Sequence, residues 1–212
     1  LPAAGAAAYF FMEILPELSQ SRSGVKAQKG LGKIINPNKD FKNATNNFTV
    51  VDTVENSSKL AAEYLNKNMF AEAKELYEKC LTGIHEDDPD LMHGLAQAEY
   101  GLENYSQTKQ VLDDLIKDNP SYKNVDAHLL YARCLVKLND TDAALKEFAA
   151  LDEYYPGPEA TYRYAILLQS IDKQGQAEEL LEKILQNAKL SDKHYRARYK
   201  SWINKAKQEL KK

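Results

Sequence analysis

The stretch LLYARCLVKLNDTDAALKEFAALDEYYP, residues 129–156, contains the pattern that decides the fold. A large residue followed by a small one, Tyr131 and Ala132, marks a first helix, and a second small residue, Ala144, follows twelve positions later. Phe148 comes four residues after Ala144, so the two share one face of a second helix. Because helices approach closely only where their side chains are short, the stretch predicts two helices that cross at their small residues.

These small residues recur along the chain. The small residue of the first helix returns at intervals of 35, 36 and 33 residues, at Ala61, Ala96, Ala132 and Ala165. The small residue of the second helix returns at the same intervals, at Ala73, Thr108, Ala144 and Ala177. A unit of about 34 residues is typical of solenoids, in which each helix pair packs against the next. We therefore predict an all-α, right-handed α-solenoid of about four helix pairs.

The domain boundaries follow from these intervals and from helix-breaking residues. The four repeats are predicted at about residues 55–89, 90–123, 124–157 and 158–190. Proline and glycine residues break the preceding connector, residues 16–54, which follows an apolar segment, residues 1–15. A solenoid exposes the apolar face of its last repeat, so residues 191–212 are predicted to form one capping helix, with Trp202 as a packing residue.

The amino-terminal segment LPAAGAAAYFFM, residues 1–12, is free of charge, and a basic cluster from Arg22 to Lys42 follows it. Twelve helical residues span about 18 Å, which is less than the bilayer core of about 30 Å. We interpret the segment as part of a truncated membrane anchor, because basic residues collect on the cytoplasmic side of a spanning helix. A signal-peptide remnant and an apolar helix packed on the repeats remain as alternatives.

The charge distribution argues against nucleic acid as a partner. Residues 1–42 carry six basic and three acidic side chains, so the other residues hold a net charge of −6 in a chain of net charge −3. Binding to phosphates requires a basic face. The two cysteines, Cys80 and Cys134, fall on helical core positions without zinc or redox spacing, and we predict that they are buried thiols.

No residue pattern indicates catalysis. No metal-ligand spacing connects the four histidines, His85, His93, His128 and His194. The acidic residues 86–90 lack the glycine and the glutamate of an EF-hand, and Asp88 before Pro89 indicates a helix N-cap instead. We therefore predict that the protein is not an enzyme and that it binds no cofactor, metal or small-molecule substrate.

Over about residues 54–190 the chain resembles the tetratricopeptide repeat family. The large–small pairs, the second small residue and the terminal prolines Pro120 and Pro156 match the family pattern. Glu99 stands where an apolar residue is usual, and Thr108 stands where alanine is usual. The order of segments also resembles membrane-anchored tetratricopeptide proteins of bacteria. That resemblance implies a bacterial inner-membrane protein with its repeats in the cytoplasm, and a soluble cytoplasmic protein is the alternative.

The family resemblance also implies a concave groove, lined by the first helix of each pair, that binds a protein or peptide. The predicted groove residues are His93, Gln97, Tyr100, Arg133, Lys137, Tyr162, Ile166 and Gln169. An arginine beside tyrosines can bind a carboxylate or stack on a ring. Tyr162 is predicted to point away from the second helix, so that its removal would leave the fold stable. A solvated inner face is the alternative.

The chaperone-tail type of these domains binds a carboxylate with a lysine and an asparagine in the first repeat. Ser58 and Ala62 occupy those positions here, so that partner is disfavoured. The sequence thus predicts a non-catalytic, membrane-tethered scaffold for a protein or peptide partner. The alternative is a soluble structural or assembly subunit whose apolar amino-terminal segment packs on a partner or on the solenoid.

Overall fold

The computed structural model describes residues 38–212, which divide between residues 63 and 64 into two compact units. The apolar segment 1–15 and most of the connector lie outside the described residues, so the membrane anchor stays a prediction. In the described part, no helix combines the length and the apolar character that crossing a membrane requires.

Residues 38–212 contain helices and no strand, which confirms the predicted all-α class. The helices are α1 Lys39–Val50, α2 Val54–Asn66, α3 Phe70–Cys80, α4 Pro89–Gly101, α5 Tyr105–Asp118, α6 Val125–Lys137, α7 Thr141–Tyr154, α8 Pro158–Gln169, α9 Gln174–Leu190, α10 Lys193–Arg198 and α11 Lys200–Glu209. A 3₁₀ turn, Gly83–His85, separates α3 from α4.

In the first unit, α1 is followed closely by α2. The side-chain amide of Asn56 donates to the carbonyl oxygens of Val51 at 2.9 Å and Asn47 at 3.3 Å. These bonds join the start of α2 to the end of α1, where the Asn47 carbonyl also accepts from the Val51 N–H and the Val51 carbonyl from the Thr53 N–H. Ala44 on α1 and Ala61 on α2 are buried.

In the second unit, the helices pack in chain order as the pairs α4/α5, α6/α7 and α8/α9, with α3 packed on α4. Like Ala61 in the first unit, the predicted small residues of the second unit are all fully buried: Ala73, Ala96, Thr108, Ala132, Ala144, Ala165 and Ala177. The Thr108 hydroxyl donates to the carbonyl oxygen of Asn104 at 3.1 Å. Threonine can therefore replace the usual alanine without leaving a buried polar group unpaired.

The turn inside each repeat has the same backbone conformation. One residue per turn is left-handed, with φ of 58°, 63°, 60° and 60° at Asn68, Glu103, Asn139 and Asp172. These residues are spaced by 35, 36 and 33 positions, as the small residues are. Asn and Asp tolerate this conformation better than most residues. The repeat in the sequence is thus also a repeat in the backbone.

Side-chain caps fix the start of the first helix in two of the repeats. The Asp88 carboxylate accepts from the backbone N–H groups of Asp90 at 3.0 Å and Leu91 at 3.1 Å, and Pro89 opens α4. This confirms the N-cap predicted for Asp88. Asn124 caps α6 in the same way. Each cap satisfies N–H groups that have no partner inside the helix.

Glu99, the residue that departs from the repeat pattern, is 1% exposed on α4. Its Oε1 lies 2.9 Å from the Nζ of Lys74 on α3, and its Oε2 accepts from the side-chain amide of Asn104 at 2.7 Å. The hydrogen bond to Glu99 raises the pKa of Lys74. A buried carboxylate is tolerated here because both of its oxygens have charged or polar partners.

The carboxyl-terminal cap is two helices, so the prediction of one capping helix was wrong. Tyr199 separates α10 from α11, and its hydroxyl donates to the carbonyl oxygen of Pro156 at 3.2 Å. Its ring lies on Gly157, where an added Cβ would come within 2.6 Å of it. The ring of Tyr199 docks on the loop between α7 and α8 at the point where the cap divides into α10 and α11. Ile203 and Ala206 of α11 are buried in the core with α8 and α9.

Both cysteines are buried free thiols, as predicted. Burial raises the pKa of Cys134 to about 11, and its thiol donates to the carbonyl oxygen of Tyr105 at 3.1 Å. A thiol with so high a pKa is a poor nucleophile at neutral pH. Cys134 therefore acts as a small core side chain.

Candidate peptide-binding groove

The centre of the predicted groove is a cluster of two cations and two aromatic rings. The guanidinium carbon of Arg133 lies 4.7 Å from the centroid of the Tyr100 ring, and the Nζ of Lys137 lies 5.6 Å from that of Tyr105. The two rings meet edge to face at 5.3 Å. Arg133 and Lys137 are four residues apart on α6 and share one helix face. We call these four residues the Arg133 cluster.

Arg133 has unused hydrogen-bonding capacity. Its Nε is buried, and no group in the described part of the chain accepts a hydrogen bond from it. A buried donor without an acceptor costs about 1–3 kcal/mol. The stacking on Tyr100 holds the guanidinium in place but supplies no acceptor oxygen. The Nε is itself out of reach of solvent, so a ligand would bond to the outer nitrogens of the half-buried guanidinium.

Two clefts meet at the Arg133 cluster. The α4–α6 cleft has a volume of about 650 Å³, and its lining includes five of the predicted residues, His93, Gln97, Tyr100, Arg133 and Lys137. The α6–α8 cleft has a volume of about 280 Å³, and its lining includes Tyr100, Arg133, Lys137, Tyr162 and Ile166. Gln169 is in neither lining and lies at the carboxyl-terminal end of α8. The fold thus brings seven of the eight predicted residues to adjoining clefts.

The two clefts differ in charge. Asp126 and Glu159 line the α4–α6 cleft beside the two cations of α6. In the α6–α8 cleft, every charged residue among the described lining residues is basic, namely Arg133, Lys137 and Arg163. Arg163 is already paired with Glu159 at 2.8 Å. Arg133 and Lys137 are therefore the cations available to a ligand.

His93 is a partly structural member of the groove. It is 9% exposed, and burial lowers the pKa of its imidazole. Its Nε2 lies 2.9 Å from the side-chain nitrogen of Gln97, which fits a neutral ring that accepts from the amide. In the part of the chain that the structure describes, no three His, Cys, Asp or Glu side chains are grouped to hold a metal ion.

Tyr162 has a second role that the sequence did not reveal. Its ring lies 5.5 Å from the Trp202 ring on α11, and its hydroxyl is 3.4 Å from the Glu209 carboxylate. Because this side chain joins α8 to the cap, we expect its removal to destabilise the fold, in contrast to the expectation from the sequence. Trp202 is a packing residue, as predicted.

Sequence reasoning did not assign Tyr105 or Arg163 to the groove. Tyr105 opens α5, the second helix of its pair, and reaches the groove from the turn after α4. The aromatic residues at this turn position, Phe70 and Tyr105, were the available signal, and both line the α4–α6 cleft. No sequence signal indicated Arg163, because it follows Tyr162 directly and does not occupy one of the helix positions expected to face the groove.

A larger cleft, of about 720 Å³, lies among α5, α6 and α7. His128 on its wall lies 2.6 Å from the Glu147 carboxylate and bonds through its other ring nitrogen to the Tyr154 hydroxyl. The Tyr131 hydroxyl donates to Asp113 at 2.8 Å. These polar groups satisfy one another, whereas the Arg133 Nε has no acceptor. The groove at Arg133 is therefore the stronger candidate site.

Comparison with known proteins gives the family of the central repeats. Residues 121–165 match the family model of the tetratricopeptide repeat. A mitochondrial pentatricopeptide repeat-containing protein of Arabidopsis thaliana is 32% identical over 90 residues, which are 42% of this chain and 18% of that protein. The chain thus spans less than a fifth of that relative's length.

Solved structures extend the likeness to most of the chain. A thermophilic TPR protein of Thermus thermophilus has a TM-score of 0.58 and 21% identity, covering 77% of this chain and 88% of that one. YrrB, described as a TPR protein with an unusual peptide-binding site, has a TM-score of 0.56 and 21% identity, covering 84% and 91%. Residues 121–165 thus belong to the tetratricopeptide repeat family, and the described helix pairs share the fold of tetratricopeptide-repeat proteins.

Proposed function

We propose that this protein is a non-catalytic scaffold that binds an acidic segment or a free carboxyl terminus of a partner protein along α4, α6 and α8. The observation that carries the proposal is the half-buried Arg133 guanidinium, which makes no ion pair among the described residues and lies where two clefts meet. A carboxylate in these clefts would pair with the guanidinium, and hydrogen bonds between charged groups are stronger than neutral ones.

The charges of the two clefts support a defined orientation for the ligand. The acidic end would occupy the α6–α8 cleft beside Arg133 and Lys137. The preceding residues would run along the α4–α6 cleft, where Asp126 and Glu159 favour neutral or basic side chains. The tetratricopeptide fold supports a protein or peptide partner in general, and the peptide-binding site named for YrrB supports a groove ligand.

The replacement Arg133→Ala is expected to weaken binding of such a peptide by about 1.5–3 kcal/mol, because it removes charge-assisted hydrogen bonds. The partner segment would be identified by affinity capture and mass spectrometry. Calorimetry would then compare the peptide with a free carboxylate and the same peptide with an amidated end.

Lys146→Ala is the matched control, since Lys146 is exposed on α7 and lines neither groove cleft. Melting curves of both variants should overlap that of the unmodified protein. Equal affinities for the Arg133 and Lys146 variants would reject the groove proposal.

We also propose that the amino-terminal apolar segment tethers the protein to a bacterial inner membrane with the repeats in the cytoplasm. The support is compositional: an uncharged segment, residues 1–12, followed by the basic cluster from Arg22 to Lys42. The native protein, expressed from its own start codon, should fractionate with membranes and resist salt extraction. Recovery in the soluble fraction at low salt would favour the soluble assembly subunit instead.

A further inference from the structure

The last 20 residues carry a charge opposite to that of the repeats. Residues 193–212, which we call the basic cap, contain eight basic residues and one acidic residue, whereas residues 43–192 contain 14 basic and 27 acidic residues. All eight basic side chains are exposed: Lys193, Arg196, Arg198, Lys200, Lys205, Lys207, Lys211 and Lys212. The chain therefore has a cationic end on an acidic body.

Folding contacts account for only part of this arrangement: Arg196 donates to the carbonyl oxygens of Ala188 and Ser191, and Arg198 and Lys205 lie over the Tyr199 and Trp202 rings. Of the eight cations, Lys212 alone pairs with a carboxylate in the described part of the chain, that of Glu209 at 2.8 Å. Lys193 and Lys200 are the first residues of α10 and α11, where the helix dipole disfavours positive charge. Like charges one helical turn apart also repel. Four exposed lysines of the cap, Lys193, Lys200, Lys207 and Lys211, have neither an ion pair nor a ring contact among the described residues, and these are suited to bind an anionic surface.

The aromatic residues of the cap are engaged within the fold. The Trp202 ring lies 5.5 Å from that of Tyr162, and the Tyr195 and Tyr199 rings lie 4.7 Å apart. Sites for single-stranded nucleic acid combine cations with aromatic rings on which the bases stack. Because the rings of the cap already pack on other side chains, this arrangement argues against a nucleic-acid ligand. Leu190, which precedes the cap, is 81% exposed, and an apolar side chain beside cations suits the boundary of lipid headgroups.

We propose that the basic cap binds the anionic headgroups of a membrane surface. Each lysine or arginine near such a surface adds to the attraction. The apolar stripe of α11, with Ile203 and Ala206, is buried in the protein core, so the attachment is electrostatic and sensitive to salt. The inference is independent of the peptide groove and of the amino-terminal segment.

The test uses the full chain and vesicles of phosphatidylcholine with or without about 30 mol% phosphatidylglycerol, which supplies the anionic headgroups. The cap variant replaces Lys193, Lys200, Lys207 and Lys211 with glutamine. The control variant replaces four exposed lysines of the repeats with glutamine, Lys117, Lys123, Lys146 and Lys173, so both variants lose the same charge. Binding to pure phosphatidylcholine reports any insertion of the amino-terminal segment.

The cap variant should partition about 100- to 1,000-fold more weakly onto anionic vesicles than the unmodified protein, and the control variant should partition nearly as well. Raising the salt concentration should remove the difference between the two variants. Equal partitioning of the two variants at low salt would overturn the proposal. The proposal would also be overturned if the cap variant lost binding of single-stranded oligouridylate but not of anionic vesicles.

Discussion

Replacing Lys74 with methionine is expected to lower the free energy of unfolding by about 3 kcal/mol, because it leaves a buried carboxylate without its cation. Glu99 is 1% exposed and lies 2.9 Å from the Lys74 Nζ, and Asn104 is the other partner of its carboxylate. Urea denaturation monitored by circular dichroism would measure the loss.

The double variant Lys74→Met with Glu99→Leu should regain most of that stability, since a packed apolar pair often replaces a buried ion pair at no net cost. Lys59→Met is the exposed comparison, because the Lys59–Glu55 pair lies on the surface and should contribute less than about 1 kcal/mol. Equal losses for the Lys74 and Lys59 variants would show that the Glu99 carboxylate does not depend on Lys74.

The pH dependence of this effect follows from the raised pKa of Lys74. The stabilisation is complete below the pKa of lysine in the unfolded chain, about 10.4. It is lost as the pH rises through the higher pKa of the folded state. The difference between the unmodified protein and Lys74→Met should therefore be constant near neutral pH and shrink at strongly alkaline pH.

The replacement Tyr162→Ala is expected to destabilise the fold by about 2–3 kcal/mol, in addition to any loss of peptide binding. The ring packs on Trp202 and connects α8 with α11, so its removal leaves a cavity between the last repeat and the cap. Thermal melting of the variant would measure the effect.

Tyr162→Phe should be nearly neutral, because the contact of the hydroxyl with Glu209, at 3.4 Å, is long for a hydrogen bond. An unchanged melting temperature for Tyr162→Ala would mean that the side chain serves the groove alone. Arg133→Ala, in contrast, should alter binding without altering the melting temperature, because Arg133 joins no buried ion pair among the described residues.

The helix pairs could be predicted from the sequence because packing along a solenoid is local. Each helix meets mainly its neighbours in the chain, so the same small residues return wherever two helices cross. The full burial of Ala61, Ala96, Ala132 and Ala165 confirms that positions 35, 36 and 33 residues apart are all buried. The family resemblance, and not the periodicity, indicated the side of α4, α6 and α8 on which we expect a groove.

Individual departures from the pattern could not be interpreted from the sequence. In the sequence, Glu99 is only a departure from the repeat pattern. The structure places Lys74, 25 positions away, beside its carboxylate. Tyr162 reads as a free groove residue until Trp202, 40 positions away, is placed against its ring. Both contacts join different helices, and helical periodicity carries no information about which side chains meet across such an interface.

The sequence by itself determined the all-α class, the repeat length and the buried small residues, and the family resemblance implied the face on which a groove would lie. Only the tertiary structure decided that Arg133 stacks on Tyr100 and that its Nε finds no hydrogen-bond acceptor among the described residues. It also decided that Tyr199 divides the cap into two helices. The physical reason is that backbone periodicity and burial follow from local spacing, whereas hydrogen-bond satisfaction depends on atoms brought together from separate helices.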